Sequence, residues 1–276
     1  MPTEMDDLGL FGPDSIAWRV HADPAMVLGG LRALLLQTCH PVVMAGFAAN
    51  SDYRHDFWGR LGRTGSFVDV VTYGTRVEAE KTGTRIRAVH ARLAPVLDPE
   101  SGRARRIDDP ELLRWVHCAE VDSFLSTYRR CGGSLDEAGA DRYVAEMRES
   151  ARLVGLDVAS VPASVTELAA YFDDVRPQLR VTPQARDAVR WGVAPTMPLW
   201  VTLATPARVS WAGLVATAAA MLPRWARRLY RLPGLPTTDV TASLAGRAVR
   251  AALLAVPEHV RASPTRQAAL QRAAGC

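Results

Sequence analysis

Residues 23–41 read DPAMVLGGLRALLLQTCHP, and this stretch decides the fold. Asp23-Pro24 is a helix-start device, because an aspartate side chain accepts from free amides and a proline loses no hydrogen bond at the first helical position. From there Met26, Val27, Leu28, Leu31, Leu34 and Leu35 spread almost all the way round the helix, which should stop near His40-Pro41. A helix with no polar face belongs at the centre of a helical protein, not on its surface.

Working outward, residues 1–14 are acidic and read as a flexible lead-in. They lack the basic region and apolar core of a secretory signal. Residues 42–65 are mixed in character, and glycines at 46, 59, 62 and 65 predict short helical turns and loops. Phe67 to Tyr73 alternates weakly but has no partner strand, so it reads as the approach to the next helix, Thr75 to Leu93. A polar loop over 95–107 follows. Asp109-Pro110 repeats the start device for a helix to Arg130, which Cys131-Gly132-Gly133 stops. Ser134 with Glu137 and Ser164 with Glu167 are capping boxes, the first for a helix carrying Tyr143, Met147, Ala151 and Val154. Thr182-Pro183 opens a short helix to Trp191. Residues 198–256 read as helices broken by prolines 206, 223, 233 and 236. The expectation is an all-α fold in one helical domain over 15–260, with 261–276 as a C-terminal tail.

Composition limits the function classes. The chain has 276 residues, 48% hydrophobic and 22% charged, as ordinary globular proteins do. Its net charge of +4 is mild, and the arginines are scattered along the predicted helices, which argues against nucleic-acid binding. Cys39, Cys118, Cys131 and Cys276 show no metal-binding spacing and read as free thiols of a reducing compartment. The longest apolar run, Trp211 to Leu222, falls well short of the ~20 residues a membrane span needs. A cytoplasmic protein is the expectation.

The histidines carry the functional question. His117 lies on the apolar stripe of its helix with Leu113, Val121 and Phe124. A core histidine bonded to Glu120 or to a neighbouring helix accounts for that. His90 stands above Ile86, Gly83 and Ala79 on one helix face. Two readings are open: a slot where a flat macrocycle meets the imidazole, or a helix–helix contact through small residues. His40, before Pro41, can cap the last carbonyls of the first core helix. There is no HExxH cluster, GxSxG, P-loop or GxGxxG.

The runs LLLQTCHP, GRLGRT, RAVHARL, DPELLRWVH and LPRWARRLY resemble, in order and spacing, the MpaB-type oxygenase family, which shares its catalytic domain with the latex clearing protein, a rubber oxygenase. The resemblance covers roughly residues 15–235. It implies an all-α fold with a globin-like core, a haem b with its iron, and dioxygen chemistry that cleaves carbon–carbon double bonds. By resemblance His90 is the proximal ligand of haem iron, Arg60 and Thr64 are the RxxxT pair near the haem, His117 is a supporting histidine, and His40 sits on or behind the distal side. Read as residues, Arg60 serves a propionate or dioxygen, or is a surface arginine in a glycine-rich loop. Thr64 donates to bound oxygen, or caps a turn at Gly65. One departure stands out. The latex clearing proteins use a glutamate ahead of this arginine as catalytic base, and residues 40–59 hold only Asp52 and Asp56 as carboxylates. That argues against rubber cleavage, as does the missing secretory signal. The expected function is a haem-dependent oxygenase acting on a small hydrophobic molecule, isoprenoid or another alkene. The alternative is a non-catalytic haem or apolar-ligand binding protein.

Overall fold

The computed structural model describes residues 7–52 and 55–275. Helix α1 (Ile16–His21) starts at Ser15, whose side chain accepts from the Trp18 amide, and leads into α2 (Met26–Gln37). As its pattern demands, α2 is central: Leu28, Leu31, Leu35 and Leu36 are buried, and it packs along α6 (Pro110–Arg130) and α12 (Ala207–Ala220). Its one charge, Arg32, is buried too. It pairs with Asp122 at 2.8 Å and donates to the Ser123 hydroxyl at 2.7 Å and the Met221 carbonyl at 3.0 Å. A buried guanidinium is tolerated only with such partners, and these tie α2, α6 and the end of α12 into one unit.

Helices α3 (Pro41–Asn50) and α4 (Phe57–Tyr73) occupy most of the region expected to be turns and loops. Its glycines lie inside helices because neighbours or open space require small residues there. A side chain at Gly46, for example, would meet the Ile107 side chain at 2.6 Å. Phe67 to Tyr73 is the second half of α4. His40 caps the start of α3 and not the end of α2: its Nδ1 accepts from the Val43 amide at a long 3.5 Å. Asp23 accepts from the Ala25 amide at 2.9 Å, closing the turn just ahead of α2.

Helix α5 (Arg76–Arg92) opens on a capping box, Thr75 with Glu78. The following loop carries a two-residue hairpin, β1 (Val96–Leu97) against β2 (Ala104–Arg105). Helix α6 begins at Asp109-Pro110 as the sequence predicts. The next expected helix is cut at Met147 into α7 (Glu137–Glu146) and α8 (Arg148–Leu153), and Asp136 is the cap instead of Ser134. Ser164 starts α9 (Val165–Val175), and Thr182 starts α10 (Pro183–Val193). The C-terminal part is α11 (Leu199–Ala204), α12, α13 (Arg224–Leu229), α14 (Pro236–Leu254), α15 (Glu258–Arg261) and α16 (Pro264–Gly275). The fold is all-α, with one main core drawn from α1 through α14.

Residues 1–6 of the expected lead-in and Cys276 lie outside the described residues. Asp7 accepts from the amides of Gly9 and Arg76, both at 2.8 Å. In the expected tail, Ala269 of α16 is buried against Trp18 and Tyr73. Among the described residues no single helix is long and apolar enough to cross a membrane.

Candidate functional site

Helices α2, α4 and α6, with Trp211 of α12, line a half-open cavity of about 300 Å³, whose mouth carries the exposed Val27, Thr64 and Gly65. Its walls are mostly apolar, built from residues such as Met26, Leu31, Leu34, Leu61, Val68 and Phe124. Two glycines, Gly30 on α2 and Gly65 on α4, also face it, and a Cβ at either would meet nothing within 4 Å. A second recess of about 320 Å³ adjoins it, sharing His21, Val27, Asp69 and Tyr73, with Arg261, Ser263 and Arg266 on its other side.

The polar chemistry of the cavity starts at His21, the last residue of α1. Its Nδ1 lies 2.7 Å from the Thr72 hydroxyl and its Nε2 lies 3.0 Å from the Tyr143 hydroxyl. Thr72 donates its one proton to the Val68 carbonyl at 2.7 Å. Nδ1 therefore donates to Thr72, and Nε2 accepts from Tyr143. This is a neutral imidazole in a fixed tautomer, and desolvation drives its pKa down from 6.5 to about 3. The ring also packs edge-on against Phe124, with centroids 5.1 Å apart.

Glu120 lines the same cavity from α6. The Tyr143 proton is committed to His21 and the His21 proton to Thr72, so neither serves Glu120. Desolvation raises the Glu120 carboxyl from 4.5 to about 7. Both His21 and Glu120 keep some accessible surface because they face the cavity, although protein surrounds them.

Of the residues singled out in the sequence, Thr64 is on this cavity wall. Its hydroxyl donates to the Arg60 carbonyl at 3.2 Å, one helical turn back. Arg60 does not line the cavity. Its guanidinium stacks on the Phe47 ring at 4.1 Å and has no carboxylate partner among the described residues. Burial and the nearby Arg63 lower its pKa to about 10, so it stays charged at neutral pH.

His90 also lies off the cavity wall, near the end of α5. Its Nδ1 is buried with no hydrogen-bond partner among the described residues. Burial lowers its pKa, partly offset by the Asp108 carboxylate. The small residues beneath it meet protein: Ala79 packs with Val71 and Leu153, and a Cβ on Gly83 would lie 2.9 Å from the Leu153 carbonyl oxygen. Below His90 the stripe is thus a helix contact with α8.

His117 is buried and makes no hydrogen bond to Glu120 or any other described residue. Desolvation lowers its pKa to about 4. His40, also lowered to about 4 by burial, lies 6.1 Å from the Trp115 ring. His55 is exposed and pairs with Asp52 at 2.6 Å. Among the described residues no three His, Cys, Asp or Glu side chains gather as a metal cage. Sequence reasoning missed His21 altogether and took Glu120 only as a partner for His117. A carboxylate four residues before Phe124, on an otherwise apolar stripe, was the available signal for Glu120.

No curated protein and no solved structure matches the chain significantly. Residues 18–253 match the family described as ER-bound oxygenase mpaB/B'/Rubber oxygenase, catalytic domain. With most of its length and its helical core inside that match, the chain belongs to the mpaB/rubber oxygenase catalytic-domain family.

Proposed function

We propose that the chain is a haem-dependent oxygenase acting on a small hydrophobic molecule, isoprenoid or another alkene, with His90 as the iron ligand. Family membership supports the oxygenase role. The observation that carries the cofactor assignment is the His90 ring nitrogen, buried and without a partner. A buried polar atom is costly to leave unsatisfied, and no described residue claims this imidazole for a structural hydrogen bond, which leaves the ring available to a bound group. The lowered pKa keeps the imidazole neutral at physiological pH, which is the form that ligates iron. These residues fit the group. A macrocycle brings its own four nitrogens, so one side chain is enough where the protein offers no metal cage.

Bound haem would supply an iron centre able to bind and activate dioxygen. The chain's own residues do the rest. Arg60 holds a full positive charge with no carboxylate partner among the described residues, and is available to a propionate or another developing anion. Thr64 carries a hydroxyl from the same helix face to the cavity wall. The mostly apolar walls of the cavity suit an apolar substrate. Cytoplasmic residence is part of the proposal, supported by the buried free thiols of Cys39, Cys118 and Cys131.

The test is to add haem to the purified full chain and record the visible spectrum. A Soret band that changes position in His90→Ala is expected. No band, or the same band in His90→Ala, overturns the ligand assignment. A second reading, a non-catalytic binding protein, is favoured by one observation: His90 does not line the cavity. Oxygen uptake by the haem-loaded chain with 1-octene and a reductant separates the two.

A further inference from the structure

We infer that the cavity between α2, α4 and α6 binds an elongated apolar molecule carrying a hydroxyl head, and that Glu120 is the residue reading that head. The assignment takes this cavity as the seat of the hydrophobic molecule proposed above, and in that sense rests on that reading.

Besides the Trp211 indole, which donates to the Gly192 carbonyl at 2.7 Å, six polar side chains line the cavity: His21, Gln37, Thr64, Asp69, Tyr73 and Glu120. Five have protein partners. His21 is held by Thr72 and Tyr143, and Gln37 donates to the Val116 carbonyl at 3.2 Å. Thr64 donates to the Arg60 carbonyl, Asp69 accepts from the Ser263 hydroxyl at 2.7 Å, and Tyr73 donates to the Trp18 carbonyl at 3.2 Å. Glu120 alone makes no hydrogen bond to any described residue. A polar group left over among satisfied ones is where a ligand's polar atom belongs.

The kind of head follows from charge. Among the described residues no lysine or arginine lines this cavity, Arg261 and Arg266 standing in the adjoining recess, and its two acids, Asp69 and Glu120, disfavour an anionic head. Near neutrality Glu120 is present both protonated and ionised, since desolvation holds it near pH 7. An ammonium matches only the ionised form. A hydroxyl donates to the carboxylate and accepts from the carboxylic acid, so it satisfies both.

The kind of body follows from the glycines. Apart from proline, glycine is the poorest helix former, yet Gly30 and Gly65 both stand inside helices, facing open space. They give the cavity a volume at the low end of the ligand-pocket range. At about 30 Å³ per non-hydrogen atom, it holds roughly ten such atoms, about the size of a linear eight-carbon alcohol.

The probes are 1-octanol, octylamine and octanoate, titrated calorimetrically at pH 6, where Glu120 is mostly protonated, into the full chain without added haem. 1-Octanol is expected to bind at least tenfold more tightly than octanoate and more tightly than octylamine. Glu120→Leu should weaken 1-octanol about five- to tenfold, the loss of one hydrogen bond, while Glu120→Gln should retain it. Gly30→Leu, or Gly65→Leu if the first unfolds by circular dichroism, should abolish binding by filling the space. Unchanged 1-octanol affinity in Glu120→Leu, tighter octylamine or octanoate binding, or binding that survives both glycine variants overturns the inference. Because no haem is added, failure here leaves the spectroscopic test of His90 standing, and the reverse also holds.

Discussion

His21 and His90 are both neutral, desolvated imidazoles at the end of a helix, and their surroundings differ in one respect. His21 has a partner on each ring nitrogen, drawn from Thr72 on α4 and Tyr143 on α7. His90 has a buried nitrogen with none. The first is a structural joint that fixes three helices around the cavity. The second has a site still open for a bond that the protein does not supply. A histidine's role therefore follows from whether its two nitrogens are satisfied, not from its burial or its pKa. The same holds for Glu120 beside Asp69, since both are acids on one cavity and only Glu120 lacks a donor.

The contrast breaks most readily at the histidines themselves. His21→Ala leaves the Tyr143 hydroxyl without its acceptor and opens space beside Phe124, so a loss of about 3 kcal/mol is expected in urea unfolding. His90→Ala removes an atom that is already unsatisfied and should change stability by less than about 1 kcal/mol. Equal losses at the two positions would mean that His90 has a structural partner after all.

A sharper division concerns Glu120. Its carboxyl titrates near pH 7 in the folded chain, against an ordinary value of 4.5 when water surrounds it, so its folded-state pKa is raised. Below about pH 4.5 both states are protonated and nothing is lost. From about pH 4.5 to 7 the unfolded chain gives up this proton while the folded chain keeps it, so stability falls across that window and levels off once pH has risen through 7. Glu120→Gln keeps the neutral form at every pH. It should match the native chain near pH 4 and exceed it by about 2 kcal/mol at pH 8, a figure reduced because Glu120 keeps some accessible surface. A constant difference across that range would show that Glu120 has a charge partner.

These positions also mark how far the sequence could be read. The apolar run of α2, the Asp109-Pro110 start of α6 and the span of α5 depend on neighbours within a few residues, and each lies where the pattern places it. Glycines 46, 59, 62 and 65 point to loops by local chemistry, yet they sit in α3 and α4. At Gly46 the reason is a neighbour distant in sequence, Ile107, and Gly65 faces the cavity; neither is recorded in the local pattern. Motifs single out His90, Arg60 and Thr64 for the proposed site. They do not single out His21, because its partners lie 51 and 122 residues away. No local pattern records a tautomer fixed across three helices.

The smallest effect separates the two small-residue stripes. Gly30 and Gly83 both stand inside helices, and alanine is the better helix former by about 1 kcal/mol at each position. At Gly30 the new methyl group enters the cavity and touches nothing, so Gly30→Ala should stabilise the chain by about that amount. At Gly83 it would press within 2.9 Å of the Leu153 carbonyl oxygen and 3.1 Å of its Cβ, on a backbone held by α8. There the helix gain is overtaken by displacement of α8 from α5, and Gly83→Ala should destabilise by about 1 kcal/mol or more. Opposite signs in thermal unfolding would show that the space beside Gly30 is open and the stripe beneath His90 is closed. Stabilisation at both would mean that α8 can retreat from α5, restoring below His90 the slot that Leu153 now fills.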